Sequence, residues 1–175
     1  EELYRQLKAD KDNLEQLFGR EINGFAVPFD YYDDRIADCA KACGFSYARK
    51  SEFSGNFTPC TDFYHWETGI YHIRSELTDF VADFLDTQEE LAVCQIVGHS
   101  YDLDVLDLWE KMEQICRWVS ENADVWPATH MELVRYLSNM SQAIITDREI
   151  INESSAELWF AVDGTTVSLN PGEKK

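Results

Sequence analysis

Residues 91–102 have the sequence LAVCQIVGHSYD, and they set the arrangement expected for the rest of the chain. The run from Leu91 to Val97 is almost entirely apolar, has the length of a buried strand and contains β-branched residues. It stops at Gly98-His99, and a helical pattern begins a few residues later. Enzymes with parallel sheets place reactive side chains at the C-terminal ends of such strands. His99 is therefore the first candidate for a functional side chain, with a hydrogen-bonded loop histidine as the alternative.

Helical and strand patterns alternate along residues 1–141, which predicts an α/β fold with a parallel sheet. The helices are predicted over residues 1–18, 33–43, 75–85, 105–121 and 129–140, and the strands over 22–27, 45–49, 91–97 and 124–128. Residues 50–66 are rich in turn-forming residues, and long loops of this kind often carry function.

The pattern changes after residue 141, because short strands then follow one another without a helix between them. They are predicted over residues 144–151, 157–162 and 165–169, and Asp163-Gly164 is a strong hairpin signal. The predicted organisation is an α/β domain over residues 1–141, followed by an antiparallel β-hairpin appendage and tail over residues 142–175.

The composition restricts the classes of partner. A formal net charge of -18 argues against nucleic acid and against an anionic membrane surface, since phosphates would be repelled. No apolar run is long enough to span a membrane. The chain contains 5 Trp, 8 Tyr and 10 Phe, and aromatic side chains both fill cores and line sugar-binding grooves.

The cysteine pattern indicates free thiols. The chain has 5 cysteines, an odd number, and no Cys-x-x-Cys motif. Most of them lie inside apolar patterns, which favours reduced thiols in the core over disulfides or a metal site. Reduced thiols in turn predict a cytoplasmic location.

Several segments carry motifs in a particular order. Residues 14–29 (LEQLFGREINGFAVPF) combine a helix that ends in Gly-Arg with a strand that ends in Pro28-Phe29. Residues 43–49 (CGFSYAR), 97–99 (VGH) and 124–133 (DVWPATHMEL) follow, and residues 151–155 (INESS) precede a Trp-bearing hairpin. Taken together, these segments resemble the polysaccharide deacetylase family, also called the NodB-homology domain or carbohydrate esterase family 4.

The resemblance implies a deformed (β/α) barrel that removes N- or O-acetyl groups from polysaccharides such as chitin oligomers or peptidoglycan. In that family a divalent metal, usually zinc, polarises the acetyl carbonyl and activates water, an Asp is the base and a late His is the acid. His99 matches the late His. Pro28 and Phe29 match a Pro-aromatic pair on the groove wall. Asp62 and Trp66 partly match an Asp-x-x-Asp-Trp motif, which implies that Trp66 packs against the sugar and that Asp62 orients His99.

Two motifs of the family have no counterpart in these residues. They are the early Asp-Asp motif and the His-x-x-x-His pair, which together supply the base and the metal ligands, and both are expected before residue 1. The chain is therefore predicted to be the C-terminal part of such a domain. It would form a partial (β/α) barrel with the β appendage, hold no cofactor of its own and be inactive alone.

The four histidines, His65, His72, His99 and His130, lack the spacing of zinc-binding helices. We expect them to be solvated or hydrogen-bonded.

Three hypotheses follow. In the first, the chain is a piece of a metal-dependent carbohydrate deacetylase, and activity requires the missing N-terminal segment. In the second, it is a degenerate, non-catalytic homologue that binds carbohydrate or protein and pairs its open sheet edges in a homodimer. The third and least favoured hypothesis is an enzyme with a site rebuilt from His65, His72 or His99.

Overall fold

Two units make up the chain, Glu1–Pro127 and Ala128–Lys175. The structure is a computed structural model that describes residues 1–175 apart from the side chain of Asp30.

Short parallel strands form the sheets of the first unit. In chain order they are β1 (Gly24–Ala26), β2 (Tyr47–Phe53), β3 (Trp66–Thr68), β4 (Ile70–Tyr71) and β5 (Ile96–Val97). Strand β2 lies between β1 and β3, and β4 pairs with β5. Gly69 is the single residue between β3 and β4, and its environment requires a glycine, since a Cβ there would lie 2.5 Å from the carbonyl oxygen of Gln95.

Helices lie before β1, between β1 and β2, between β4 and β5, and after β5. They are α1 (Glu2–Phe18), α2 (Asp34–Ala42), α3 (Leu77–Asp86), α4 (Ser100–Val105) and α5 (Trp109–Glu121). Asp33 caps α2, and its side chain accepts a hydrogen bond from the backbone N–H of Ile36. One apolar cluster forms around α2 and β2, and a second joins α3 to α5 through Leu77, Val81 and Ile115.

Three predicted elements of the first unit differ from those found. The strand predicted over residues 91–97 is reduced to β5, because the backbone N–H of Val93 donates to the carbonyl of Phe57 in a loop instead. The helix predicted over 105–121 is interrupted at Asp107, which has a φ of 52°. Residues 124–128, predicted as a strand, lie between α5 and the next helix and form no strand.

The second unit begins with α6 (His130–Met140). A capping box starts this helix, in which Thr129 and Glu132 each satisfy the other's backbone N–H. Two antiparallel hairpins follow, β6 (Ala143–Ile145) with β7 (Ile150–Asn152), and β8 (Leu158–Val162) with β9 (Thr165–Leu169). The single strand predicted over residues 144–151 is therefore the first hairpin.

The predicted Asp163-Gly164 hairpin turn is confirmed. Both residues have positive φ angles, 50° and 74°, as a two-residue hairpin turn requires. One face of this hairpin is buried, and Tyr136 and Met140 of α6 pack against it. The second unit therefore contains α6, which the sequence analysis assigns to the domain of residues 1–141.

Asn152 is the polar centre of the second unit. It is 0% exposed. Its side-chain amide donates to the carbonyls of Ala156 at 2.8 Å and Leu169 at 2.7 Å. Its side-chain oxygen accepts from the backbone N–H of Ser154 at 3.0 Å and from the Ser154 hydroxyl at 2.7 Å. This one side chain thereby connects β7 to the end of β9.

The predicted mixed α/β class is confirmed at this level. Across the described residues, the strands do not close into a barrel. None of the described helices has both the length and the apolar composition that a membrane crossing requires.

Candidate functional site

His99 lies directly after β5 and is the first residue before α4. Its ring is exposed and stacks on the ring of Tyr101, with 5.0 Å between centroids and an interplanar angle of 8°. The ring of Tyr71, at the end of β4, meets His99 edge-on at 6.2 Å. The imidazole is thus held at the C-terminal end of a parallel strand pair, on an aromatic surface that is open to solvent.

A buried pair, His72 and Asp102, adjoins this surface. His72 is 5% exposed, and its backbone N–H continues the β4–β5 ladder by donating to Val97 at 2.9 Å. Its Nε2 lies 3.0 Å from Oδ2 of Asp102, and the hydroxyl of Tyr71 donates to the same oxygen at 2.7 Å. We call Tyr71, His72, His99, Tyr101 and Asp102 the His99 cluster.

The hydrogen bonds fix the charge state of Asp102. The bond from Tyr71, then the bond from His72, hold the pKa of this carboxyl below its usual range, and the nearby His99 adds to the effect. Asp102 is therefore an anion at neutral pH, and the Nε2 of His72 carries the proton that the anion accepts. The His99 cluster consequently places a fixed negative charge close to two imidazoles.

A second cluster forms around His65. Its Nδ1 lies 2.8 Å from Oδ2 of Asp62, and its Nε2 lies 3.1 Å from Oδ1 of Asp34 at the start of α2. The hydrogen bond with Asp62 is the main cause of a raised pKa for His65; burial opposes it and the bond with Asp34 adds to it. We call Asp34, Asp62 and His65 the His65 cluster.

The His65 cluster borders a cavity of about 350 Å³ formed largely by the loop between β2 and β3. Hydroxyl, amide, carboxylate and imidazole groups line it, which gives it a polar wall. Cys60 also lines it, but burial raises the pKa of this thiol to about 11. The thiol is therefore protonated at neutral pH and is a poor nucleophile there.

Trp66, which the resemblance implies packs against the sugar, lies in the core of the first unit. Its side chain borders the same cavity but is 3% exposed, and its ring packs edge-on against Tyr47 and at a tilt against Phe63, each with centroids 5.9 Å apart. A face enclosed in this way cannot stack on a sugar without moving its neighbours. Trp66 is a core residue of the sheet.

Pro28 and Phe29 form a 3-10 turn just after β1. Phe29 is 98% exposed, and its φ angle of 59° lies in the left-handed region that bulky residues rarely adopt. Residues held in sparsely populated backbone regions cost about 1–3 kcal/mol and cluster at active and binding sites, which makes Phe29 a candidate contact residue.

The predicted site residues do not form one cluster. The first sheet pairs Ala26 of β1 with Arg49 of β2, and Arg49 with Trp66 of β3. Tyr71, five residues after Trp66 in the chain, pairs instead with Val97 in a separate two-stranded sheet. Among the described side chains, Asp62 is bonded to His65 and the backbone of Tyr64, so the role predicted for it in orienting His99 is not found.

The chain matches no family model, no curated protein and no solved structure. Among the described side chains, no group of three or more His, Cys, Asp and Glu is arranged to hold a metal ion. These residues therefore do not fit the divalent metal that the resemblance implies.

Sequence reasoning missed the pairing of His72 with Asp102. One signal was present, since Asp102 follows His99 by three residues and opens α4, which places it beside the end of β5. His72 is hydrogen-bonded, one of the two states expected for it, but its burial depends on the pairing of β4 with β5.

Proposed function

We propose that the chain serves a carbohydrate deacetylase reaction, as the C-terminal part of a partial (β/α) barrel of the polysaccharide deacetylase type. In this proposal His99 donates a proton to the leaving group. The observation that carries the proposal is the position of His99, with its ring exposed after β5, supported on two aromatic rings and adjacent to the buried His72–Asp102 pair.

The order of the strands supports the barrel part of the proposal. Strands β1, β2 and β3 are parallel neighbours in chain order, and β4 follows β3 after one residue and pairs with β5. The backbone N–H of Gly55 also reaches the carbonyl of Gly69 at 3.2 Å, between β3 and β4. Parallel strands that neighbour one another in chain order are typical of (β/α) barrels, and helices α2 and α3 lie between β1 and β2 and between β4 and β5.

The proposed chemical step concerns only the leaving group. When the bond between the acetyl carbon and the sugar nitrogen or oxygen breaks, the electron pair stays on that sugar atom. The imidazolium of His99 gives it a proton and becomes neutral. The residues that would activate water are not assigned to this chain, and we propose that hydrolysis depends on a segment or chain that carries them.

A second candidate function is carbohydrate binding without catalysis. The exposed ring of Phe29 favours it, because a fixed aromatic face is a common platform for the apolar face of a sugar. In this alternative, Phe29 and not His99 is the centre of the contact.

The two candidates are separated by following the imidazole and aromatic ring signals of the chain by NMR during titration with an N-acetylglucosamine oligomer. The deacetylase proposal predicts shifts of His99 and Tyr101, and at least tenfold weaker binding for Tyr101→Ala. His130, in the second unit, is the internal control, and a cello-oligosaccharide without acetyl groups is the ligand control.

Binding that is lost in Phe29→Ala and leaves the signals of His99 unshifted would instead favour the second candidate. The absence of any shift at millimolar oligosaccharide would overturn both. Equal binding of the two oligosaccharides would mean that the chain does not recognise the acetyl group, which would contradict that part of the proposal.

A further inference from the structure

Both ring nitrogens of His65 face carboxylate oxygens. The distances are 2.8 Å from Nδ1 to Asp62 and 3.1 Å from Nε2 to Asp34, which are hydrogen-bond distances. An ionised carboxylate only accepts hydrogen bonds, so each nitrogen must carry a proton to bond in this way. Only the imidazolium form has two N–H groups, and a neutral ring would turn a lone pair toward one of the carboxylates.

The two carboxylates belong to different parts of the fold. Asp62 lies in the loop that leads from β2 to β3, and Asp34 is the first residue of α2, so His65 joins a cavity-lining loop to a helix. Asp62 is also held by a bond from the backbone N–H of Tyr64 at 3.0 Å. Asp34 has a side chain that is 95% exposed, and its contact with His65 is the longer one.

The other groups around His65 hold their charge states over the same pH range. Tyr32 meets the ring of His65 edge-on at 5.7 Å, and burial raises its pKa to about 12. Cys60 donates to the carbonyl of Asp62 and, as described, remains a thiol. Lys50, on β2, is paired with Glu52 and Glu67, and the bond with Glu52 raises its pKa. His65 is therefore the group in this neighbourhood whose charge changes near neutral pH.

We propose that His65 is a proton-operated clamp: the imidazolium ties the cavity-lining loop to the start of α2, and loss of the Nε2 proton releases Asp34 and loosens the cavity wall. The Nδ1 proton remains with Asp62, whose bond is shorter. The clamp does not depend on the deacetylase proposal.

The direction of the pH dependence follows from the sign of the shift. The pKa of His65 is raised above its ordinary value of 6.5 by its bond with Asp62 and then by that with Asp34, against the effect of burial. The clamp is therefore fully formed below about pH 6.5 and is lost as the pH rises through the higher folded value. Acidification closes the loop on the helix, and mild alkali opens it.

The test is an NMR titration of the ring nitrogens of His65 in the whole chain between pH 5 and 9. We expect a midpoint above 6.5, and a neutral form that keeps its proton on Nδ1, the less common tautomer of free histidine. Asp62→Asn should lower the midpoint more than Asp34→Asn does. The matched control is Asp79→Asn, an exposed carboxylate on α3, which should leave the midpoint unchanged.

A second measurement follows the loop itself. Amide hydrogen exchange of residues 54–62, corrected for the intrinsic effect of pH, should rise several-fold between pH 6 and 9, and His65→Gln and Asp34→Asn should remove most of that change. A midpoint at or below 6.5, a neutral form protonated on Nε2, or loop exchange with the same pH dependence in Asp34→Asn would each overturn the proposal. Because Asp34 is almost fully exposed, its replacement tests the clamp without disturbing the core.

Discussion

The imidazole ring of His72 lies directly against the backbone of Gly98. A Cβ atom at Gly98 would come within 2.4 Å of three atoms of the ring. The same ring is bonded to Asp102, so it cannot move aside without breaking that bond. The glycine that precedes His99 is therefore required by a histidine on the neighbouring strand.

The first prediction concerns Gly98→Ala. The added methyl group must displace the buried His72 ring or the backbone, and overpacking of this kind costs about 1–3 kcal/mol. We expect the free energy of unfolding, measured by urea denaturation, to fall by that amount.

A double-mutant cycle with His72→Ala identifies the cause. Removal of the ring also removes the clash, so the two substitutions together should cost less than the sum of their separate effects. A strictly additive result would mean that the ring is not what excludes a side chain from Gly98.

The second prediction concerns Asp102→Asn. The lowered pKa of Asp102 means that its bonds stabilise the folded state above about pH 4, and that this contribution disappears as the pH falls through the lower folded value. The difference in unfolding free energy between the wild-type chain and Asp102→Asn should therefore be largest near neutral pH and shrink toward pH 2. Tyr71→Phe, which removes the strongest of these bonds, should show part of the same dependence, whereas a difference that is constant with pH would contradict it.

The third prediction concerns the strained backbone at Phe29. A bulky residue in the left-handed region costs about 1–3 kcal/mol, and an almost fully exposed ring recovers little of that by packing. Phe29→Gly relieves the strain but loses about 0.5–1 kcal/mol through the more flexible unfolded chain. We expect a stability that is unchanged or higher by roughly 1 kcal/mol, which thermal unfolding would measure.

Phe29→Asn is the matched variant, since Asn tolerates the left-handed region and retains a side chain. If either variant were less stable than the wild-type chain by more than 1 kcal/mol, roughly the upper entropic cost of a glycine, the ring would have to be making contacts that its exposure does not suggest.

The fourth prediction concerns Asn152→Ala in the second unit. This change leaves the half-buried carbonyl of Ala156, the buried carbonyl of Leu169 and the backbone N–H of Ser154 without the partner that Asn152 supplies. Each such loss costs about 1–3 kcal/mol, with partial relief if water enters. We expect the protection of the β8–β9 amides from hydrogen exchange to drop by at least tenfold, whereas Ser155→Ala, at an exposed position whose hydroxyl bonds to Asn139 of α6 and not to Asn152, should leave it nearly unchanged.

Local signals predicted most of the helices and the last hairpin. The apolar face of α1 and the Asp163-Gly164 turn each act within a few residues, so the sequence contains the whole cause. The prediction of a strand over residues 91–97 was wrong because its outcome depends on a contact that is distant in the sequence. Its apolar run is compatible with a strand, but Val93 found a hydrogen-bond partner in a loop far along the chain.

The burial of residues on α5 also depends on contacts that the local sequence does not contain. Its apolar residues recur at helical spacing and include Trp109 and Cys116, yet both are exposed and Ile115 is the buried residue. Helical spacing says which residues share a face, but the width of the buried face depends on what packs there. The contacts of the candidate site are also long-range, since 30 residues separate His72 from Asp102 and 31 separate Asp34 from His65.

The hydrogen bonds of the Asp102 carboxylate determine which segments must accompany His99 if this site is moved to another protein scaffold. Strand β5 offers only two ladder positions, so it orients the following residue weakly. Most of the support for His99 comes from its contacts with Tyr71 and Tyr101 and from the network that Asp102 closes with β4. A graft of His99 with its own strand alone would lose the geometry. The smallest transferable unit is the pair of segments 70–72 and 96–102, carried together.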